Sequence, residues 1–247
     1  MLTKKEIKDI QSLYQKKQRD NEGLFVAEGP KLAEEIINSQ LEIKMIYATA
    51  SWQAANVDSA KYPLTPITDI ELQRISHLQT PNQVIVVTNQ PKPPEKFTYE
   101  KQLTVLLDGI QDPGNMGTII RTADWFGVSQ IICSADCVDI YNPKVIQASM
   151  GSIVRIQCWY EDLYQWQPPE NIPVYGAMLQ GKNVYTIAPI LQGILVIGNE
   201  SKGIREALAP WVTHPITIPK FGEAESLNAA VAAGIIIGQM VNKGLQR

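Results

Sequence analysis

The sequence has few of the residues that bind metal ions or form disulfides. Its three cysteines are Cys133, Cys137 and Cys158, and its two histidines are His77 and His214. An odd number of cysteines fits no complete disulfide framework, and a Cys-x3-Cys pair with no nearby histidine is a poor zinc site. We therefore expect ordinary thiols and no bound metal.

Long apolar runs are also missing. No apolar stretch reaches the roughly 18 residues that a membrane-spanning helix needs. The N-terminal sequence MLTKKEIKDI is charged and lacks the apolar segment of a signal peptide. These features predict a cytoplasmic protein with no membrane partner.

The chain has no excess of positive charge, since its formal net charge is −3. Basic residues are nevertheless concentrated near the N-terminus, where Glu6, Asp9 and Asp20 are outnumbered by Lys4, Lys5, Lys8, Lys16, Lys17 and Arg19. Such a segment is either a solvated helix face or a contact for phosphate groups, and both interpretations stay open.

A proline-rich stretch, NQPKPPE, divides the chain between Asn89 and Glu95. Such a sequence favours extended structure and makes a semi-rigid linker. We therefore predict a first domain over residues 1–90, a linker over 91–101 and a second domain over 102–247.

The first domain is predicted to be a small α/β unit. Apolar residues at helical spacing predict a helix from Lys4 to Lys17, and Pro30 favours the start of a second helix that runs to Ile37. The predicted strands are Leu24–Ala27, Lys44–Tyr47, the region around Ile67, and Val84–Val87.

The second domain alternates apolar runs with helical or turn-rich segments. Near-continuous apolar strands of this kind indicate a parallel sheet with helices on both faces. Ligands of such sheets usually bind at the carboxyl ends of the strands. The predicted strands are Leu103–Leu107, Gln130–Cys133, Ile153–Ile156, Val174–Ala177, Ile194–Ile197 and Ile216–Ile218.

Three polar segments follow strands of this sheet. The first runs from Leu107 through a Gly/Pro/Asn loop to Arg121, with a helix predicted from Thr118. Amides at the start of a helix favour an anion, although an ordinary strand–turn–helix connection has the same composition. The segment matches neither the dinucleotide fingerprint nor the Walker A pattern.

The second segment, Ile194–Ile204, places Glu200 in a turn bracketed by glycines after a buried strand, where it is either a functional carboxylate or a helix-start residue favoured by the helix dipole. The third, Ile216–Asn228, precedes an apolar helix from Ala229 to Met240. In that helix Ala230, Gly234 and Gly238 form a stripe of small residues spaced four apart, which indicates close packing against another backbone, either within the chain or across a dimer.

In this order, the three segments resemble motifs 1, 2 and 3 of the SpoU (TrmH-like) RNA methyltransferases of the SPOUT superfamily. The matching stretches are DPGNMGTIIRTAD, VIGNESKGI and IPKFGEAESLNAAVAAG, and the resemblance runs from Leu103 to about Met240. Leu24–Lys31 and Thr80–Val84 resemble the L30e-like substrate-binding domain of the family.

The resemblance implies transfer of a methyl group from S-adenosylmethionine to a ribose 2′-hydroxyl of RNA. It implies ribosomal RNA more than transfer RNA, because the L30e-like domain is typical of members that act on ribosomal RNA. It also implies a deep trefoil knot in the catalytic domain, and a homodimer whose active site draws on both subunits. Family members bind the donor through backbone groups, here at Gly198, Ile218 and Leu227.

The resemblance also implies roles for five polar residues. Arg121 is the main catalytic residue; Asn115 positions the ribose or its phosphate. Glu200 anchors the active-site loops, and an ion pair with Arg121 is one way in which it could do so. Ser226 and Asn228 orient Arg121 or the nucleotide, with helix capping as the alternative.

The protonation role of Arg121 stays open. A guanidinium has a pKa above about 12, so a cation that polarises the hydroxyl fits the sequence as well as a general base does. Lys220, Ala229–Ala230 and Gln239 depart from the common family pattern, and none of them replaces a polar motif residue.

Three other functions compete with this one. A non-catalytic RNA-binding protein would not need all five polar residues, and a base methyltransferase fits motif 1 less well. A dinucleotide-dependent oxidoreductase would need a G-x-G-x-x-G sequence after the first strand of a domain, and neither domain has one.

Overall fold

The computed structural model describes residues 1–56, 61–92 and 97–241. Within this part of the chain the α-helices are α1 (Lys4–Ser12), α2 (Lys16–Glu22), α3 (Pro30–Ile37), α4 (Ala50–Ala55), α5 (Asp69–Ile75), α6 (Pro113–Trp125), α7 (Pro143–Ser149) and α8 (Ala229–Val241). The β-strands are β1 (Leu24–Glu28), β2 (Ile43–Ala48), β3 (Leu64–Pro66), β4 (Val84–Asn89), β5 (Leu103–Leu107), β6 (Gln130–Ser134), β7 (Gln157–Glu161), β8 (Val174–Asn183), β9 (Gly193–Ile197) and β10 (His214–Thr217).

The chain forms two compact units, and one of them is discontinuous in sequence. The first unit contains Met1–Lys92 together with Asp139–Val154, and the second contains Pro93–Val138 with Arg155–Arg247. The segment Asp139–Val154, which includes α7, thus packs with the N-terminal part of the chain. Residues 93–96 of the expected linker lie outside the described residues, and the limits of the functional domains stay a prediction.

The first unit is built on a four-stranded sheet in the order β1-β4-β2-β3. β4 pairs antiparallel with β1 and with β2, while β2 and β3 are parallel. Capping boxes at Thr3/Glu6 and Thr68/Glu71 start α1 and α5, because each threonine oxygen accepts a free amide of the first turn.

Two buried polar groups organise the first unit. Arg19 on α2 is 2% exposed and pairs with Asp139, while its Nη1 donates to the carbonyl of Leu13 at 2.9 Å. Glu28 at the end of β1 accepts the Tyr14 hydroxyl at 2.9 Å and the His77 amide at 3.0 Å. Burial and the charge of Glu28 raise the pKa of the Tyr14 hydroxyl, which therefore stays a donor.

The second unit is built on a six-stranded parallel sheet in the order β10-β8-β9-β5-β6-β7. Every residue of β5, β6 and β9 is buried, which explains why these strands read as continuous apolar runs. This mixed α/β architecture with a parallel sheet confirms the predicted fold class, whereas the knot stays a prediction.

Helix α8 packs against α6 of the same unit through its stripe of small residues. A Cβ at Gly234 would lie 3.7 Å from Cγ2 of Thr122, and one at Gly238 would lie 3.0 Å from Cζ of Phe126. The stripe therefore serves a contact within the chain, which was one of the two alternatives that the sequence left open.

Three sequence-based boundaries were wrong. The helix expected from Lys4 to Lys17 is two helices, because the chain turns at Leu13–Gln15, where Tyr14 is drawn inward to Glu28 and to the carbonyl of Ile75. The strand expected at Ile153–Ile156 is mostly a 3-10 turn at Ser152–Val154 that follows Gly151 (φ 94°), and the strand begins at Gln157.

The third boundary concerns the first polar segment, where α6 begins at Pro113 and not at Thr118. Asp112 caps this helix by accepting the amide of Asn115 at 2.8 Å, and Pro113 has the backbone angle that a first helical position requires. Asn115 is consequently a residue of the first helical turn.

Among the described residues, no helix is long and apolar enough to cross a bilayer.

Candidate active site

The polar segments of the second unit follow the carboxyl ends of β5, β9 and β10. β5 and β9 are neighbours in the sheet, and β8 alone separates β9 from β10. Because all these strands are parallel, the loops that follow them emerge at one edge, which is where ligands of such sheets bind.

A chain of amide and carboxylate groups joins the three segments. The Nδ2 atom of Asn115 donates to Oε1 of Glu200 at 2.5 Å, and the Nδ2 atom of Asn228 donates to Oδ1 of Asn115 at 2.8 Å. One residue from each segment therefore meets at Asn115, although 113 residues separate Asn115 from Asn228 in sequence.

Asn228 also caps α8. Its Oδ1 atom accepts the amides of Ala230 at 2.9 Å and Val231 at 3.2 Å. Capping and site positioning were alternatives for this residue, and the structure assigns it both contacts, since the two ends of its amide face different groups. The orientation of Asn115 is thereby coupled to the start of α8.

Arg121 lies apart from this cluster. It is six residues after Asn115 on α6, which places the two side chains about 120° apart around the helix. Arg121 is exposed, and within the described residues it makes no hydrogen bond or ion pair. Glu200 contacts Asn115 and not Arg121, so the Glu200–Arg121 pair that the sequence suggested is absent.

Ser226 is also exposed, on the loop between β10 and α8. It makes no hydrogen bond with another residue in the part of the chain that the structure describes. It does line the cavity beside this cluster. The structure thus joins Asn115, Glu200 and Asn228, and leaves Arg121 and Ser226 available.

A cavity of about 940 Å³ opens beside the cluster within the second unit. It is lined by residues of β8 and α8 and by the loops that follow β9 and β10, among them Glu200, Ser226 and all three predicted donor-binding residues, Gly198, Ile218 and Leu227. A volume of this order suits a ligand of the size of S-adenosylmethionine.

The backbone approaches itself so closely at this cavity that no side chain fits at Gly198. A Cβ there would lie 2.2 Å from the carbonyl carbon of Gly203 and 2.4 Å from the amide nitrogen of Ile204. The turn after β9 closes through paired backbone hydrogen bonds between Asn199 and Gly203, at 3.0 and 2.8 Å. This side of the cavity is therefore formed by backbone atoms, which is the kind of surface that the predicted donor would bind.

The cavity rim carries charge of both signs. Lys202 and Lys220 are exposed there, as is Glu225 on the β10–α8 loop, while Glu200 is half-buried. Among the described residues, no group of three or more His, Cys, Asp or Glu side chains could hold a metal ion.

The sequence did not identify a second polar network beneath these loops. Arg205 pairs with Asp108 and Asp136, and Asn199 donates to the carbonyl of Gly109 at 2.8 Å. Burial opposes ionisation of Asp136, but hydrogen bonds from Ser134 and Arg205 hold its pKa below the usual range. The available signal in the sequence was Asp108, an acidic residue directly after the mostly apolar strand β5.

Cys137 belongs to the same network. Its sulfur accepts the amide of Ile110 at 3.3 Å and contacts the Ser134 hydroxyl at 3.4 Å. A hydrogen bond from Cys133, assisted by these contacts, outweighs burial and lowers the pKa of the Cys137 thiol to about 7. The Cys137 thiol also donates to the carbonyl of Leu107 at 3.3 Å, so it contacts the backbone at both ends of the turn that follows β5.

Comparison with protein families places both parts of the chain. Residues 102–238 match the SpoU rRNA Methylase family, and residues 4–86 match the MRM3-like substrate binding domain. The first match covers more than half of the chain and contains all eight predicted site residues.

Individual relatives agree with these matches. The chain is 30% identical, over 94% of both sequences, to the 23S rRNA (guanosine(2553)-2′-O)-methyltransferase RlmP of Bacillus subtilis. A TrmH-family protein from Porphyromonas gingivalis superposes with a TM-score of 0.89 at 36% identity, covering 99% of this chain and 100% of that one.

An AdoMet-bound rRNA methyltransferase from Sinorhizobium meliloti superposes with a TM-score of 0.86 at 31% identity, covering 100% of this chain and 97% of that one. These similarities extend through both units. They agree with the meeting of the three motifs at Asn115, Glu200 and Asn228 at the edge of the sheet. The chain belongs to the SpoU rRNA methylase family.

Proposed function

We propose that this protein transfers a methyl group from S-adenosylmethionine to the 2′-hydroxyl of a ribose in ribosomal RNA. The observation that carries the proposal is the Asn228–Asn115–Glu200 chain, which joins the three motifs beside a cavity that is large enough for the donor. A relative that aligns with 94% of this chain, RlmP of Bacillus subtilis, is named for this activity. The cytoplasmic location that the sequence predicts is part of the proposal.

The donor cavity is formed by main chain at Gly198, Ile218 and Leu227. When bound, S-adenosylmethionine supplies a methyl group on a positively charged sulfonium, so the protein needs no metal to activate it. Ile197, Ile216 and Ile236 give the cavity an apolar wall, and Glu200 lies at its edge beside Asn115. These groups bind and orient the donor and exclude water from one side of it.

The residues that act on the ribose are proposed to be Asn115 and Arg121. Asn115 is held by Glu200 and Asn228, so its amide is fixed before the nucleotide arrives, which lowers the entropy cost of alignment. Arg121 has no partner within the described residues, and its guanidinium is therefore free to bind the phosphate next to the target ribose and polarise its hydroxyl.

The separation of Arg121 from Asn115 is explained if a second subunit contributes to each site. Arg121 and Trp125 lie one turn apart on the same face of α6, and Trp125 is 85% exposed. We propose a homodimer in which this face meets the partner, so that Arg121 of one subunit serves the site of the other.

The dimer is tested by sedimentation of the purified protein. We expect a dimer at micromolar concentration, and a monomer for Trp125→Glu with an unchanged circular dichroism spectrum. Tyr164→Glu is the matched control, because Tyr164 is another exposed aromatic residue of the second unit. A wild-type monomer would contradict the proposal.

The activity is tested with labelled S-adenosylmethionine and purified ribosomal and transfer RNA. We expect label in large-subunit ribosomal RNA, at one ribose that mapping identifies as 2′-O-methylated. Label in transfer RNA would change the substrate class, label on a base would change the reaction, and binding of RNA without transfer would favour a non-catalytic protein.

A further inference from the structure

Arg205 follows motif 2 directly, but its side chain turns beneath the active-site loops. Its backbone amide donates to Oδ2 of Asp108 at 2.8 Å, and its Nε donates to Oδ1 of the same carboxylate. Its Nη2 donates to both oxygens of Asp136, at 2.8 and 3.1 Å. One side chain thus joins the residue after β5 to the loop after β6.

In the ion pair between Arg205 and Asp108, the carboxylate of Asp108 is the buried partner. Asp108 is 2% exposed, and a carboxylate so far from water must be neutralised or hydrogen-bonded. Burial opposes the charge on Arg205, but its hydrogen bonds to Asp136 and the charge of Asp108 raise its pKa above the ordinary value. Arg205 is therefore a fixed cation in this network.

The network determines the course of the motif 1 loop. Gly109 has a positive φ of 70°, and both polar groups of its backbone are bonded, the amide to Ser134 Oγ at 2.8 Å and the carbonyl to Asn199 at 2.8 Å. The amide of Ile110 is bonded to Cys137. This loop leads directly to Asp112, the cap of α6, and to Asn115.

The same network determines the end of the motif 2 loop. Asn199 Oδ1 accepts the amides of Ser201 at 3.0 Å and Lys202 at 3.2 Å, which fixes the turn that carries Glu200. Arg205 holds the chain immediately after this turn. The hydrogen bond between Asn115 and Glu200 therefore depends on two loops that share one guanidinium as their anchor.

We propose that Arg205 is a positioning residue for methyl transfer, which clamps the motif 1 and motif 2 loops together and so aligns Asn115 with Glu200. The proposal rests on the proposed function. Arg205 touches neither the donor nor the ribose in this role. A phosphate contact is the competing role for a cation here, but both carboxylates already occupy its Nε and Nη2 atoms.

The experiment compares Arg205→Met and Arg205→Lys with wild type. Four quantities are measured on each: the single-turnover rate of methyl transfer per folded molecule, the KM for RNA, donor affinity by calorimetry, and amide exchange in residues 108–112 and 199–204. Lys101→Met is the control, because Lys101 is an exposed cation of the same unit that lies at the amino end of β5, away from the polar segments.

We expect Arg205→Met to lower the single-turnover rate about 100-fold, because displacement of a positioning group by about 1 Å has an effect of this order. The KM for RNA should stay within about threefold, and amide exchange in both loops should accelerate at least tenfold. Arg205→Lys should recover part of the rate, since an ammonium group still neutralises Asp108. The control should change none of these quantities.

Two results would overturn the proposal. One is a rate per folded molecule within threefold of wild type for Arg205→Met, which would make Arg205 a residue of stability alone. The other is a raised KM for RNA together with unchanged amide exchange in both loops. In that case the salt dependence of RNA binding should fall by about one phosphate contact, and Arg205 would bind phosphate. If Arg205→Met does not fold, Arg205→Lys and Asp136→Asn provide the same comparison.

Failure of the proposed function would appear in wild type, as absence of ribose methylation. The amide-exchange result for the two loops would be unaffected.

Discussion

Arg19 in the first unit belongs to the basic segment for which a phosphate contact was one of two open interpretations, and Arg121 in the second unit is the predicted catalytic residue, but their surroundings differ. Arg19 is 2% exposed and bonded to Asp139 and to a backbone carbonyl. Arg121 is exposed and has no partner in the described part of the chain. The first arginine serves the fold, and the second is available for a ligand.

The polar residues around the two arginines show the same difference. In the first unit Glu28 is buried and its carboxylate is bonded to Tyr14, Ser76 and His77. In the second unit Asn115 and Glu200 bond to each other beside an open cavity. A buried charge must be paired, whereas a functional group has to keep some capacity for the substrate.

The largest expected effect is on stability and concerns Arg19. Arg19→Met should lower the free energy of unfolding of the first unit by about 3–5 kcal/mol, because the Asp139 carboxylate, whose side chain is only 10% exposed, loses its partner. Methyl transfer per folded molecule should be unchanged. Urea denaturation and hydrogen exchange of β1 and β4 measure the effect, with the exposed Lys16→Met as control. A stable variant with weakened RNA binding would show that Arg19 contacts RNA after all.

The next effect concerns donor binding at Gly198. Gly198→Ala should weaken the affinity for S-adenosylmethionine at least 100-fold, about 2.7 kcal/mol, because the added methyl group would overlap the backbone at Gly203. Gly222→Ala is a matched control on the same cavity, since nothing lies within 4 Å of its Cβ position. Calorimetric titration measures both variants, and equal affinities would place the donor elsewhere.

A smaller effect separates the two roles of Asn228. Asn228→Asp keeps an oxygen that caps α8 but loses the amide that donates to Asn115, so the methyl-transfer rate should fall about tenfold with little change in stability. Asn228→Ala should lose both contacts and also lower the free energy of unfolding by about 1 kcal/mol. If the two variants have the same rate and stability, the contact with Asn115 is incidental.

The smallest effect concerns the exposed lysines of α1. Replacing Lys4, Lys5 and Lys8 with glutamine should weaken RNA binding only a few-fold, because the chain has a net charge of −3 and relies on few phosphate contacts. The salt dependence of binding by wild type should be correspondingly shallow. A steep dependence, measured by filter binding from low to high salt, would overturn this expectation.

The sequence predicted the parts of this molecule that depend on local pattern. The central strands β5 and β9 are fully buried and appear as apolar runs, and Pro30 marks the start of α3. The motif residues Asn115, Glu200 and Asn228 could be named because their neighbours in sequence form recognisable motifs.

The parts that depend on contacts distant in sequence could not be predicted. The burial of Arg19 requires Asp139, which is 120 residues away, and the clamp at Arg205 requires Asp108, 97 residues away. The break after α1 depends on Glu28 and Ile75 accepting the Tyr14 hydroxyl. No local periodicity contains these pairs.

The central claim is that Arg121, which has no partner in the described part of the chain, is essential for ribose methylation. One measurement tests this claim most directly. Wild type and Arg121→Ala are incubated with labelled S-adenosylmethionine and ribosomal RNA, and 2′-O-methyl groups are mapped in the product. We predict a single methylated ribose for wild type, and loss of that methylation for Arg121→Ala, with its donor affinity, dimer and free energy of unfolding unchanged. Near-normal methylation by Arg121→Ala would contradict the account.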